Sequence, residues 1–367
     1  MNIVWFSWKD IDHPAAGGAE KVSHEIMKRL VRDGHSVRLI TALYSGATQY
    51  EKIDGIEVFR SGGRHSVYLR AYFLFKKNMK NWPDLVIDEM NTVPFGCAFY
   101  VKKPTILLTY QLARQVWFAQ AMFPLSVIGF ILEPLYLFIL SRKYRTVLTE
   151  SESTRKDLQK YGFSSKDIHT FRVGIELGPI MPLKPVNNLD NVLILGAVRP
   201  MKRTLSAVKG FEYARDKNSS LRLTIAGDIG TPYAKKVLAY INASRHKDVI
   251  SILGRVSADK KLSLMRSADV ILVTSVKEGW GLIVTEANSQ GTPAIAFDSD
   301  GLRDSITNGK TGLLVPPGDE KALGDGIINL LSNKQSYELM RSNAWQSSKQ
   351  YTFDNSYLDF VRLAKIF

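Results

Sequence analysis

The nine residues Glu278-Gly-Trp-Gly-Leu-Ile-Val-Thr-Glu286 combine the groups needed to hold a phosphorylated, hydroxyl-rich ligand. They follow an apolar run, Val270 to Thr274, that reads as a strand, and a helix is expected to begin at Leu282. At the carboxyl edge of a parallel sheet, a strand-to-helix turn of this kind is a ligand site by geometry. Gly279 and Gly281 admit unusual backbone angles and close ligand approach, and amides around Gly281 and Leu282 at the helix start are oriented to receive a diphosphate. Glu278, on the loop, can accept hydrogen bonds from sugar hydroxyls. Glu286, in the second helical turn, offers two acceptor oxygens to the vicinal diol of a ribose. The bland alternative is a solvated loop glutamate and an ordinary helix glutamate. Two glycines, the aromatic Trp280 and the strand-to-helix placement favour the ligand reading.

A second chemical segment, Gly196-Ala-Val-Arg199-Pro-Met-Lys202-Arg203, follows the apolar run Val192 to Leu195. Cations at Arg199 and Lys202 suit a leaving nucleoside diphosphate, which gains negative charge as its bond to the sugar breaks. Plain surface charge is the competing reading of Lys202. Near the amino terminus Gly17-Gly18-Ala-Glu20 is a Gly-rich loop opening a helix, without the G-x-G-x-x-G spacing of a dinucleotide site. His13, His24, His35, His65, His169 and His246 have no metal-like spacing, and no Asp-x-Asp precedes a candidate site. No metal and no cofactor are expected.

Two sets of alternating strands and helices must position these groups. Strand-like runs at Asn2 to Phe6, Ser36 to Thr41, Leu85 to Asp88, Thr105 to Thr109 and Thr146 to Leu148 fill the first half. Runs at Val192 to Leu195, Leu221 to Ala226, Val249 to Leu253, Val270 to Thr274 and Ala294 to Phe297 fill the second, with a helix from Glu320 to Leu331. Gly34 is a C-cap candidate for the first helix. Between the halves, Glu176 to Asp190 contains three prolines and no periodicity, the mark of a linker. The 367 residues suit two domains, one over residues 1–180 and one over 181–350. The fold class is α/β.

A net charge of +14 favours an anionic partner: nucleic acid, phospholipid head groups or phosphorylated substrates. Nucleic acid has nothing but the charge in its favour and is not expected. Between Arg60 and Pro83 there are six Arg or Lys residues and no acid, interleaved with Tyr68, Tyr72, Phe73, Phe75 and Trp82. Such a basic, aromatic helix suits an anionic membrane interface or, equally, a solvated flank that also packs a core. Phe123 to Leu140 resembles a span, but its 18 residues fall short of the roughly 20 needed, and Glu133-Pro134 lies at its middle. A buried helix or a hydrophobic lip dipping into a bilayer explains it better. The single cysteine, Cys97, sits in an apolar stretch and reads as a buried small hydrophobe. No signal peptide opens the sequence, so a cytoplasmic setting is expected, peripheral at the inner face of the membrane if the interface forms.

Glu278 to Ala287 resembles the E-x7-E signature of the family 4 retaining glycosyltransferases, and Gly291-Thr-Pro-Ala-Ile-Ala296 resembles that family's next strand. Gly17-Gly18-Ala-Glu20 is similar to its Gly-Gly-x-Glu turn, where a backbone close to the donor phosphate leaves no room for a side chain. Lys202 falls on the family's lysine. Its arginine position holds Ala197, with Arg199 two residues on, and Tyr110, or alternatively Gln111, stands where a histidine commonly faces the donor sugar. The resemblance covers essentially the whole chain. It implies a GT-B architecture, two Rossmann-like domains with parallel sheets facing an interdomain cleft, and a terminal helix within 351–367 crossing back onto the first domain. It also implies a metal-independent, retaining transfer from a UDP- or GDP-linked sugar to a glycan or lipid-linked acceptor, in bacterial polysaccharide or lipopolysaccharide biosynthesis. Arg199, Lys202, Glu278 and Tyr110 are the implied catalytic residues. Gly17, Gly18, Arg199, Lys202 and Glu278 to Leu282 with Glu286 are the implied donor contacts. A sugar-nucleotide epimerase and a non-catalytic nucleotide-sugar-binding subunit are the alternatives.

Overall fold

The computed structural model describes residues 1–366 apart from 121, 177, 182, 184 and 187. Leu177, Pro182, Lys184 and Asn187 of the expected linker, and Phe367, thus lie outside the described residues. The chain divides into two compact units, Met1–Gly174 with Thr352–Phe367, and Ile175–Tyr351.

The first unit runs β1 (Asn2–Phe6), α1 (Gly18–Arg32), β2 (Ser36–Thr41), β3 (Tyr50–Ile53), β4 (Ile56–Arg60), α2 (Val67–Asn78), β5 (Leu85–Met90), β6 (Thr105–Thr109), α3 (Val116–Gln120), α4 (Leu125–Ser141), β7 (Val147–Thr149), α5 (Glu152–Lys160) and β8 (Ile168–Thr170). Among the described residues these strands form one sheet in the order β3-β4-β2-β1-β5-β6-β7-β8. β1 is buried along almost its whole length because helices cover both faces of a parallel sheet, so its sequence is a continuous apolar run rather than an alternation. Strand order reverses between β1 and β5.

Three strands of this unit escape the sequence reading: β3, β4 and β8. β3 and β4 form an antiparallel hairpin, a departure from a purely parallel sheet. Asp54 and Gly55 both take positive φ, 48° and 85°, as a two-residue turn between paired strands requires. Arg60, counted with the basic helix in the sequence, instead ends β4 fully buried against Asp10 at 2.6 Å, so the exposed charge begins later.

The span alternative for 123–140 fails: no described helix is long and apolar enough to cross a membrane. Glu133 points inward and is 1% exposed. Its carboxylate accepts from Ala113 N (2.8 Å), Arg114 N (2.7 Å) and Trp117 Nε1 (2.9 Å), which satisfies a group that lipid could not.

The second unit runs β9 (Asn191–Leu195), α6 (Thr204–Lys217), β10 (Arg222–Ala226), α7 (Pro232–Asn242), β11 (Ile250–Ile252), α8 (Ala258–Ser267), β12 (Val270–Val273), α9 (Leu282–Ser289), β13 (Ala294–Phe297), α10 (Leu302–Ser305), β14 (Gly312–Val315), α11 (Glu320–Ser332) and α12 (Lys334–Ser348). The described strands form an all-parallel sheet, order β11-β10-β9-β12-β13-β14. β14 is a further strand that the sequence reading omits. Alternate residues enter separate cores: Val192 and Ile194 pack with Phe211 and Leu323 on one face, Leu193 with Met265 and Val284 on the other. The order reverses between β9 and β12, where two crossovers leave in opposite directions and open a crevice at the strands' carboxyl ends.

The last helix, α13 (Phe353–Ala364), belongs to the first unit. Phe360 stacks on Trp5 at 5.4 Å, Arg29 Nε donates to Asp354 at 2.7 Å, and the Tyr357 hydroxyl donates to Asp33 at 2.7 Å.

Candidate active site

β9 and β12 are neighbours at the reversal, so the loops leaving their carboxyl ends must meet. Lys202 ends a short 3-10 turn after β9, and Glu278 lies five residues beyond β12. Two bonds from Thr274 Oγ1, to the carbonyls of Lys202 (2.8 Å) and Arg203 (3.1 Å), lock the loops together, and Val276 N donates to Met201 O at 2.8 Å. Lys202 Nζ donates to Glu278 Oε1, and Ser275 Oγ donates to the same oxygen at 2.6 Å. Burial pushes the Glu278 carboxyl up. The Lys202 ammonium, the Ser275 hydroxyl and the Arg199 charge outweigh it and hold the group below the usual range. Arg199 Nε is buried without a hydrogen-bond partner among the described residues. The structure therefore gathers Arg199, Lys202 and Glu278 into one electrostatic cluster.

Gly279 and Trp280 lead to Gly281, whose φ of 89° makes the corner before α9. A Cβ there would lie 2.8 Å from Leu302 Cδ2, so both backbone angle and space call for glycine. Leu282 is the first residue of α9, and the N–H groups of a first helical turn have no partner within the helix. The Trp280 indole N–H donates to Thr285 Oγ1 at 2.9 Å and its ring lies 5.2 Å from that of Tyr351, so it braces the turn.

Glu286 is 8% exposed, and burial, with a contribution from the Glu176 charge, pushes its carboxyl up despite the opposing ammonium of Lys261. Lys261 Nζ lies 2.6 Å from Glu286 Oε2. The sequence reading misses this lysine. Nothing in the run Asp259-Lys-Lys261 says which helix α8 packs beside, and no spacing signal could have found it.

In the first unit, Gly17 is the N-cap of α1 and Gly18 its first residue. Gly17 N donates to Glu20 Oε2 at 2.7 Å, and Glu20 pairs with Lys9 at 2.9 Å, so the Gly-Gly-x-Glu glutamate caps its own helix. Tyr110, one residue past β6, is 4% exposed. Ser23 Oγ donates to Glu89 Oε2 at 2.7 Å, which leaves the Tyr110 hydroxyl to donate to Ser23 Oγ at 2.6 Å. Trp5 Nε1 (2.7 Å) and Ser7 Oγ (3.0 Å) also donate to Glu89. Burial pushes the Tyr110 hydroxyl well up and the Glu89 carboxyl up to about 7. Glu89, at the strand-order reversal of the first sheet, is a second group the sequence reading passes over. It stands beside Asp88 in an otherwise apolar run, and its partners Trp5, Ser7 and Ser23 lie 84, 82 and 66 positions away in the chain.

The two halves each match a known family. Residues 183–347 match the family described as glycosyl transferases group 1, and residues 16–178 match glycosyltransferase family 4. A D-inositol 3-phosphate glycosyltransferase of Corynebacterium urealyticum is 33% identical over 105 residues, which are 29% of this chain and 25% of that protein. The match thus spans about a quarter of that relative's length. The fold is similar over its full length to sucrose-phosphate synthase from Thermosynechococcus elongatus, with TM-score 0.79, 17% identity and 98% of that chain covered. It is also similar to the Anabaena protein HepE solved with UDP and glucose, with TM-score 0.75, 18% identity and both chains covered completely. With the switch-point cluster in the second unit and family matches over both halves, the chain belongs to the family 4 glycosyltransferases and has the GT-B fold.

Proposed function

We propose that this glycosyltransferase is a retaining enzyme that moves a hexose from a UDP- or GDP-linked donor to a glycan or lipid-linked acceptor in bacterial surface polysaccharide biosynthesis. The observation that carries the donor reading is the Lys202–Glu278 pair beside Arg199 at the reversal of the second sheet. The Glu278 carboxylate neutralises the Lys202 ammonium. A nucleoside diphosphate takes over Lys202 and draws in the unpartnered Arg199 Nε, while the first-turn amides of α9 at Leu282 receive its oxygens. Glu278, released, accepts from the sugar hydroxyls. Glu286 exchanges Lys261 for the ribose diol.

In the transfer, the bond between the anomeric carbon and the diphosphate oxygen breaks as the acceptor oxygen bonds to the same face of that carbon. The acceptor proton passes to the departing diphosphate. Lys202 and Arg199 stabilise the charge that develops there, and no side chain of this cluster acts as a covalent nucleophile. The bacterial setting rests on the family rather than on the site.

A thermal-shift screen over nucleotide sugars, followed by turnover with a membrane-lipid extract, tests the proposal. The expected result is stabilisation by one UDP- or GDP-sugar and release of the nucleoside diphosphate only when acceptor is present. Epimerised or free sugar formed from donor alone would make the protein an epimerase. Tight nucleotide binding with no turnover would make it a binding subunit.

A further inference from the structure

Helices α3 and α4 of the first unit are built with their polarity inverted. The polar group that joins them, Glu133, lies inside, where it binds Trp117 Nε1 and the backbone of 113–114. Gly129 permits the closest approach: a Cβ there would sit 2.6 Å from the Trp117 ring. The outward side chains of this hairpin are the apolar ones. Phe123 is 82% exposed, Ile131 64% and Leu135 57%, with Leu125, Ile128 and Phe138 also exposed. Positions 128, 131, 135 and 138 recur at helical spacing and form one stripe.

Cations continue this stripe. Arg142 lies over the Phe138 ring at 3.6 Å, and Lys143 lies over Phe99 at 5.7 Å. Next to Phe99, the Tyr100 ring meets Tyr72 of α2 at 4.9 Å, and Tyr72 meets the exposed Phe73 at 5.3 Å. Lys77 is exposed one turn beyond Phe73. The basic aromatic helix and the hydrophobic segment are thus joined through the 99–100 turn into one surface. From residue 61 to 145 there are eleven Arg or Lys residues and four acids. Asp88, Glu89 and Glu133 are buried, so Asp84 is the exposed acid of this stretch.

We infer that this surface docks on the anionic leaflet of a phospholipid bilayer, with the α4 stripe entering the acyl boundary, the α2 and 142–145 cations on the head groups and the Phe99-Tyr100 turn between them. An apolar stripe edged by cations with almost no exposed acid matches a negatively charged, apolar-cored surface. A second copy would bring the same cations together and be repelled. Docking requires no span, and no described helix could supply one.

Flotation of the full chain, without nucleotide sugar, on phosphatidylcholine vesicles with and without 30 mol% phosphatidylglycerol tests the inference on its own, separately from sugar transfer. The composition is chosen, roughly, to give a leaflet of physiological negative charge. The expected result is binding to the anionic vesicles that weakens with salt. Lys77→Gln and Lys143→Gln should each lower the partition coefficient about fivefold. Phe123→Ser, Ile131→Ser and Leu135→Ser together should lower it at least about a hundredfold. Leu339→Ser, an exposed leucine of the second unit, should leave it unchanged. The triple variant removes only exposed groups, and an unchanged melting midpoint certifies its fold. Wild-type protein that stays with the bottom fraction, or a triple variant that floats like wild type, overturns the inference. So does a lipid-free dimer that the triple change dissolves while vesicle binding persists, because the stripe is then a homotypic contact.

Discussion

Because Lys202 donates to Glu278, a nucleoside diphosphate must compete with a carboxylate of the protein itself. The two side chains are 24% and 15% exposed, so the pair is partly desolvated but not deeply buried. A hydrogen bond to a charged group contributes about 1.5–3 kcal/mol, and this exposure places the pair near the lower end. Lys202→Met should therefore weaken UDP or GDP binding by about 1.5–2 kcal/mol, roughly ten- to thirtyfold. Glu278→Gln preserves shape and an acceptor for Ser275 but removes the competing charge. It should leave nucleotide affinity unchanged or tighten it by up to about 1 kcal/mol, roughly fivefold. Turnover of the complete donor in that variant should fall about a hundredfold or more, because the charged acceptor for the sugar hydroxyls is lost. In the double variant the gain should vanish, since it acts only through Lys202. Titration calorimetry with the nucleotide that gives the larger thermal shift, run on all four proteins, reads the cycle. If Glu278→Gln weakens free nucleotide as much as Lys202→Met, or if the double variant adds the two losses, the competition argument is wrong.

Glu89 gives a pH signature of stability. Its carboxyl rises from 4.5 to about 7 on folding, chiefly through burial, so the folded state holds the proton more tightly than the unfolded one. The associated stabilisation is complete below pH about 4.5 and is lost as pH rises through about 7, amounting at most to about 3 kcal/mol. Glu89→Gln should flatten the decline in urea midpoint between pH 5 and 8, and a slope identical to wild type counts against the assignment. For the ribose contact, Glu286→Ala should weaken nucleotide binding by about 1.5–3 kcal/mol. Lys261→Ala removes the cation that opposes the upward push on Glu286, so the pH at which nucleotide binding reaches half its maximum should move up. Titration from pH 5 to 9 measures it, and a downward move contradicts the pairing.

Much of the molecule is written locally in its sequence. Short apolar runs between helical stretches specify parallel strands covered on both sides, as in β1 and β9, because burial on both faces replaces alternation by continuity. The corner at Gly281 and the reversal at Gly34, with φ of 89° and 87°, follow from residue type alone, since left-handed backbone favours glycine. The hairpin at Asp54-Gly55 was equally legible. It is a two-residue turn signal between short strands, obscured by the charged residues of the exposed edge strand β3.

What the tertiary structure alone decides is which of these local pieces meet. Lys202 and Glu278 are 76 residues apart and become a pair only because β9 lies beside β12, a matter of strand order that no local pattern encodes. The same holds for Lys261 with Glu286, and for Tyr110, whose hydroxyl proves to be tied into the Ser23–Glu89 network. α4 is the clearest case. Its residues are apolar nearly all round, so periodicity could not say which side is covered. The inward hydrogen bonds of Glu133 fix that choice, and they leave a hydrophobic stripe facing outward beside a band of positive charge.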